Sequence, residues 1–247
     1  MQELSPFSAY HKWKMQWRTV SSVEHAHNLA LYRLSRSRKD REMINSISKI
    51  GLIGGVQLSR MFLKGDKKRL KELYRTRVLK KHILHKGKNE IEVYTLGKTS
   101  LDFLKSNQGN RWFGYSETDV LQRMVYFQLY EKMQNELNVN IEIEKAPYPF
   151  AGRMIIKGNS FLVLVVRENT SEILKHLEKV APSEKIICVC EHIVYMKELN
   201  DKIKHLSVRL TTDKDIRESA LQDTFYVFEQ GEWKKESQKK KLKISVQ

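Results

Sequence analysis

The chain has 247 residues, with 45 Lys and Arg against 29 Asp and Glu, giving a formal net charge of +16. With 40% hydrophobic and 30% charged residues, 4 Pro and 11 Gly, the composition excludes a low-complexity or wholly disordered chain and leaves room for two modest domains. The longest apolar runs, Phe161–Val166 and Ile186–Cys190, are far too short to cross a bilayer. The opening Met-Gln-Glu-Leu-Ser-Pro has no signal-peptide core. A cytoplasmic protein without membrane contact is the expectation.

Residues 1–38 read as a separate aromatic and basic arm. Tyr10, Trp13 and Trp17 are interspersed with His11, Lys12, Lys14 and Arg18. The i, i+4 spacing of the two tryptophans predicts one helix face, used for packing or, in a rival reading, for stacking on nucleic acid. An amphipathic helix is predicted over Ser21–Ser35 through Val23, Ala26, Leu29, Ala30 and Leu34, with Ser21 or Ser22 as its cap.

Residues 39–106 carry three successive helical patterns. Met43, Ile44, Ile47 and Ile50 make the first apolar face; Val56, Leu58, Met61 and Phe62 the second; Leu70, Leu73, Tyr74 and Val78 the third. Gly51 stops the first, Gly54–Gly55 opens the second, and Gly65–Asp66 breaks before the third. The period then changes to two β-type runs, Val78–Leu84 and Glu90–Leu96, joined by the turn signal Lys86-Gly87-Lys88-Asn89. Three short helices followed by a hairpin define a winged helix-turn-helix, whose last helix enters the major groove.

Charge points the same way. Residues 1–105 hold 23 Lys and Arg and 9 Asp and Glu, a net of +14, whereas residues 106–233 hold 16 and 19, a net of −3. A basic excess confined to one module is the footprint of a polyanion partner. The third helical segment brings Lys67, Lys68, Arg69, Lys71, Arg75 and Arg77. With Leu70 and Leu73 facing inward, Lys67, Lys68, Lys71 and Arg75 face outward, where base edges and phosphates would lie. Lys86 and Lys88 add two charges at the hairpin tip. These six residues are the predicted double-stranded DNA contacts; the competing reading is a solvated basic face on a protein-interaction module.

Residues 107–115, with Gly109 and Gly114, read as a linker. In 116–233 an amphipathic helix over Glu117–Leu137, capped by Ser116, precedes the order βββαβαβαβ. Its strands are placed at Asn140–Glu144, Arg153–Lys157, Ser160–Val166, Lys185–Cys190, Leu206–Thr211 and Thr224–Phe228, and its helices at Thr170–Val180, Val194–Lys204 and Asp215–Leu221. Residues 234–247, with 6 Lys and Arg and 1 Glu, read as a basic tail expected to be mobile, with the alternation Leu242, Ile244, Val246 offering an edge strand as a rival. Cys188 and Cys190 share one strand face and suit a reduced compartment. His25 and His27 join no ligand set, so no metal and no cofactor are expected.

The stretch Ile50-Gly51-Leu52-Ile53-Gly54-Gly55-Val56-Gln57-Leu58-Ser59-Arg60-Met61-Phe62, followed by Lys68-Arg69-Leu70-Lys71-Glu72-Leu73, Val78-Leu79-Lys80-Lys81 and Tyr94-Thr95-Leu96-Gly97-Lys98, resembles the replication-relaxation family of plasmid and mobile-element proteins. Arg77 departs from that family, which usually has Gly there, so the helix is expected to run on or bend differently. The resemblance implies an α+β protein: an N-terminal winged helix followed by an α/β domain resembling a degenerate restriction-endonuclease-like fold. A nuclease of that type needs an Asp at one hairpin strand and an acid-x-Lys on the next. The matching positions are Ala151-Gly152-Arg153 and Leu164-Val165-Val166, with Glu168 and Glu172 only past the strand. The expectation is therefore no catalytic residue and no enzyme, but a regulator, or an accessory factor for replication or conjugative transfer. It would act as a homodimer, with other replication or transfer proteins as further partners. The alternative is a nucleic-acid-processing enzyme, a nuclease or relaxase, for which Tyr126, Tyr130 and Tyr148 are the available nucleophiles. The Glu117–Leu137 and Val23–Leu34 stripes are the nominated dimer surfaces.

Overall fold

The computed structural model describes residues 4–18, 27–105, 112–167, 169–179 and 182–236, and in it the chain mixes helix and sheet as an α+β protein. It divides into two units, Tyr10–Met124 and Met1–Ala9 with Val125–Gln247. This grouping differs from the segments read in the sequence: most of the arm joins the basic module, and residues before Tyr10 join the C-terminal unit. The Ser21–Ala26 part of the predicted first helix and the tail beyond Glu236 lie outside the described residues.

The unit Tyr10–Met124 contains strand β1 (Lys14–Gln16), helices α1 (His27–Arg36) and α2 (Arg38–Ile50), the two-residue strand β2 (Ile53–Gly54) and helix α3 (Gly55–Leu58). A π-helical turn (Ser59–Leu63), α4 (Lys67–Arg75), the hairpin strands β3 (Leu79–Lys86) and β4 (Asn89–Leu96) and α5 (Lys98–Phe103) follow. The Ser37 hydroxyl accepts the Asp40 amide to cap α2, and Gly51, at φ 108, ends it with its N–H on the Ile47 carbonyl. Met43, Ile44, Ile47 and Ile50 are all buried, each contributing about 1.5–3 kcal/mol of transfer free energy. Of the residues that spacing groups on the second apolar face, Leu58 is buried, Met61 and Phe62 are half-buried and Val56 is 61% exposed; Leu63 is buried in their place at the end of the π turn, which advances the register by one residue.

The four strands are ordered β1-β3-β4-β2. The region around Trp13 and Trp17 is therefore strand and not helix: β1 pairs antiparallel with β3, Lys14 opposite His85 and Gln16 opposite Ile83. Trp17 packs against His82 and Trp112 with ring centroids 5.0 and 5.2 Å away. Trp112, placed in the linker by the sequence, sits in a 3-10 turn (Trp112–Gly114) and covers His82 at 4.7 Å, with the Lys80 ammonium over its ring. His82 is fully buried. Its Nδ1 accepts the Arg18 amide at 3.1 Å, so Nε2 carries the proton toward Thr95 Oγ1 at 2.9 Å.

Burial, with Lys80 and Arg18 nearby, lowers the His82 pKa from 6.5 to about 3. The unfolded chain therefore takes up this proton first as pH falls, so stability is complete above pH 6.5 and declines down to pH 3. The expected loss between pH 7.5 and 5 is about 2 kcal/mol for this unit, measurable by urea unfolding followed through tryptophan fluorescence. His82→Gln should flatten that pH dependence, and an unchanged dependence in the variant would remove His82 as its source.

Arg77 resolves its departure from the glycine expectation by adopting φ 56 itself, immediately after α4 ends at Thr76. Gly97 is a position where the backbone itself requires glycine: a Cβ there would stand 2.1 Å from the Arg77 carbonyl oxygen, which accepts the Thr99 amide at 3.0 Å. Gly97→Ala is expected to cost about 2–3 kcal/mol by overpacking against backbone, whereas Gly114→Ala, where a Cβ meets nothing within 4 Å, should leave the denaturation midpoint unchanged.

Helix α6 (Glu117–Leu137) is capped by Ser116, whose hydroxyl accepts the Asp119 amide at 3.2 Å. Its early turns belong to the first unit. There the Gln57 side-chain amide donates to the Met124 carbonyl at 2.9 Å and Arg123 Nε to the Ile50 carbonyl at 2.9 Å. Val120, Leu121, Met124, Val125, Tyr126, Phe127 and Leu129 are all buried. The helix is therefore buried around most of its circumference rather than on one stripe.

The second unit holds β5 (Ile141–Glu144), β6 (Gly152–Ile156), β7 (Asn159–Val166), α7 (Thr170–Lys179), β8 (Lys185–Cys190), α8 (Lys197–Ile203), β9 (Val208–Thr212), α9 (Asp213–Glu218), β10 (Tyr226–Glu229) and β11 (Glu232–Lys235). Its seven strands are ordered β11-β10-β9-β8-β7-β6-β5, with β7, β8 and β9 parallel and the outer pairs antiparallel. Leu162, Leu164, Val166, Cys188 and Cys190 pack with α7 and α8, and the alternate residues Val163, Val165, Ile187 and Val189 are equally buried. Burial on both faces explains the unbroken apolar runs. It also pushes the Cys188 thiol up to about 12 and Cys190 well above its usual value, leaving both unreactive. Strand β11 was not legible in the sequence, so Lys234 and Lys235 belong to the sheet and not to a tail; Lys235 pairs with Asp215 at 3.2 Å.

Candidate nucleic-acid interface

Helix α4 begins where Lys64, at φ 50, and Gly65, at φ 82, reverse the chain, and the Asp66 carboxylate accepts the Arg69 amide at 2.8 Å as the cap. Leu73 is buried and Leu70 half-buried, which fixes the rotation of the helix. Lys67, Lys68, Lys71 and Arg75 consequently lie on its exposed side. Among the described residues, Lys67, Lys68 and Lys71 have no carboxylate within ion-pair distance.

Two members of the basic run serve other ends. Arg69 turns inward, pairing with Asp40 and, at 2.8 Å, with Glu72, which also holds Arg33. Arg77 lies past the helix and is half-buried, with its Nε unpartnered among the described residues. Tyr74, grouped with the apolar face by spacing, is 39% exposed and borders the basic side.

The hairpin closes through Gly87–Lys88, with Lys86 opposite Asn89 and Gly87 at φ 56 supplying the positive φ that such a tight turn demands. Lys88 is exposed at the tip. Lys86 differs from the expectation of a free tip charge: it is half-buried and donates to His11 Nδ1 at 2.7 Å. Strand β1 brings further cations to the same sheet that spacing arguments missed. Lys12, Lys14 and Arg18 are exposed, alternating with partly buried Trp13, Met15 and Trp17. That period of two was the available signal, hidden because the tryptophans also satisfy i, i+4.

The charge asymmetry follows the structural division. The unit Tyr10–Met124 contains 25 Lys and Arg and 10 Asp and Glu, a net of +15, so the rest of the chain is close to neutral at +1.

In the second unit, Leu164, Val165 and Val166 are buried core, and Arg153 is held by Glu184 at 2.8 Å and Glu144 at 3.2 Å. Glu168 lies outside the described residues, and Glu172 accepts the Tyr148 hydroxyl at 2.7 Å. Among the described residues there is no group of three or more His, Cys, Asp or Glu able to hold a metal ion. Likewise, no described helix is long and apolar enough to cross a membrane. The chain matches no protein-family model, and comparison with curated proteins and with solved structures returned no match.

Proposed function

We propose that this chain is a double-stranded DNA-binding protein and that Tyr10–Met124 is its winged helix. In this reading α2, α3 with its π turn, and α4 form the helix-turn-helix, α4 enters the major groove, β3 and β4 form the wing, and β1 widens it. The observation that carries the proposal is the outward face of α4, where Lys67, Lys68, Lys71 and Arg75 stand exposed in a unit of net charge +15. A solvated protein-contact face has no need of such an excess, whereas phosphate neutralisation does.

The order α6-β5-β6-β7-α7-β8, with a three-strand antiparallel meander and a parallel fourth strand, supports reading the second unit as a restriction-endonuclease-like scaffold. Apolar core at Leu164–Val166 supports a non-catalytic role for it. The family resemblance extends the proposal to a regulator or a replication or transfer accessory factor of a mobile element, acting as a homodimer because one winged helix reads few base pairs. Protection mapping on the DNA surrounding its own gene, with and without Mg²⁺, tests this. A protected repeat without strand cleavage is the expected result. Unprotected DNA would refute DNA binding, and cleavage would refute the non-catalytic role.

A further inference from the structure

Beside α4 lies a groove of about 760 Å³, walled by the end of α1, the start of α2, the turn at Lys64 and the first turns of α4. Its acids are already committed. Asp40 is bound by Arg69, Glu72 by Arg33 and Arg69, and Asp66 by the Arg69 amide. Three cations on its walls have no such commitment: Arg36, Lys39 and Lys64 are exposed, and among the described residues none lies within ion-pair distance of a carboxylate. Arg36 stacks its guanidinium over the Tyr32 ring, 5.3 Å from the centroid, an arrangement that holds the plane while leaving the N–H edge free for an anion.

We propose that this groove is a phosphate-binding site and that its occupant is the backbone of the bound duplex, on the flank of the segment that α4 reads; the proposal rests on the DNA-binding reading above. Helix geometry makes the two surfaces continuous. At 100° per residue, Glu72 and Arg69 follow Lys68 around α4 away from Lys67, Lys71 and Arg75, so Lys68 borders both the exposed face and the groove. Cations drawn from three separate elements suit successive phosphates along a strand better than one compact anion. Such contacts position a duplex without selecting its sequence.

The test compares the intact protein with the triple variant Arg36→Gln, Lys39→Gln, Lys64→Asn. Asn is chosen because it tolerates the left-handed backbone that Lys64 adopts at φ 50. On a long duplex the variant should bind roughly 10- to 100-fold more weakly, with a log–log salt slope flatter by about 2 to 3 and an unchanged ratio of specific to non-specific affinity. On a duplex trimmed to the protected core, variant and intact protein should bind alike. Equal binding of the long duplex by both would overturn the groove proposal, while absence of salt-dependent binding by the intact protein would overturn the DNA-binding reading itself. ATP and inorganic pyrophosphate serve as the free-phosphate probes: micromolar binding of either, lost in the variant while duplex binding is unaffected, would overturn DNA as the occupant.

Discussion

Replacing Lys67, Lys68, Lys71 and Arg75 together by alanine is expected to lower duplex affinity about a thousandfold at roughly physiological salt and to flatten the log–log salt slope by about 3 to 4. All four side chains are exposed on α4, and alanine is the strongest helix former, so the thermal midpoint should stay within a few degrees of the parent. That pairing of results separates a lost interface from a lost fold. Single substitutions should divide by role: those at base edges relax sequence preference, and those at phosphates weaken all sequences alike. Lys86→Ala belongs to the second group. An unchanged slope in the fourfold variant would move the interface away from α4, toward the exposed residues Lys12, Lys14 and Arg18 in and flanking β1.

A second large effect is expected in the C-terminal unit. Arg167 and Asp213 follow the aligned strand ends Val166, Cys190 and Thr212 of β7, β8 and β9, and their side chains are 0% and 1% exposed. Arg167 Nη2 reaches both Asp213 oxygens at 2.9 and 3.0 Å, its Nε donates to the Phe7 carbonyl at 3.1 Å, and the Ser5 hydroxyl donates to Asp213. The pair thus fastens the segment Ser5–Phe7 to the ends of the parallel strands. Arg167→Met strands a buried carboxylate and should cost about 3–5 kcal/mol, most of which the double variant with Asp213→Leu should recover. Denaturant unfolding measures both. A loss below about 1 kcal/mol for the single variant would mean that water replaces the guanidinium.

Much of this architecture was legible because local signals agreed. Gly51, Gly65 and Asp66 punctuate the helices as their chemistry requires, and the runs Phe161–Val166 and Ile186–Cys190 became buried parallel strands. The failures have physical causes. Trp13 and Trp17 satisfy the helical and the strand period at once, and only pairing with β3, more than sixty residues away, decides for strand. The π turn brings Leu63 into the core where a fixed period expects Met61 and Phe62, an insertion invisible to such a count. Strand β11 consists of Glu-Trp-Lys-Lys, too polar to announce itself, and is held by its pairing with β10 across the Gln230–Gly231 turn.

The candidate site was less legible than the fold. The outward positions of Lys67, Lys68, Lys71 and Arg75 followed from Leu70 and Leu73 alone. The inward commitment of Arg69 depends on Asp40, the capture of Lys86 depends on His11, and the groove depends on α1; all three are tertiary facts.

The most direct test of DNA binding through the basic unit is the salt dependence of equilibrium duplex binding by the intact chain. On a duplex trimmed to the protected core, neutralisation of about six phosphates by Lys67, Lys68, Lys71, Arg75, Lys86 and Lys88 predicts a log–log slope near −5, steeper by about 2 to 3 on a long duplex that also reaches the groove. A slope near zero, or no measurable duplex binding at low salt, would contradict it.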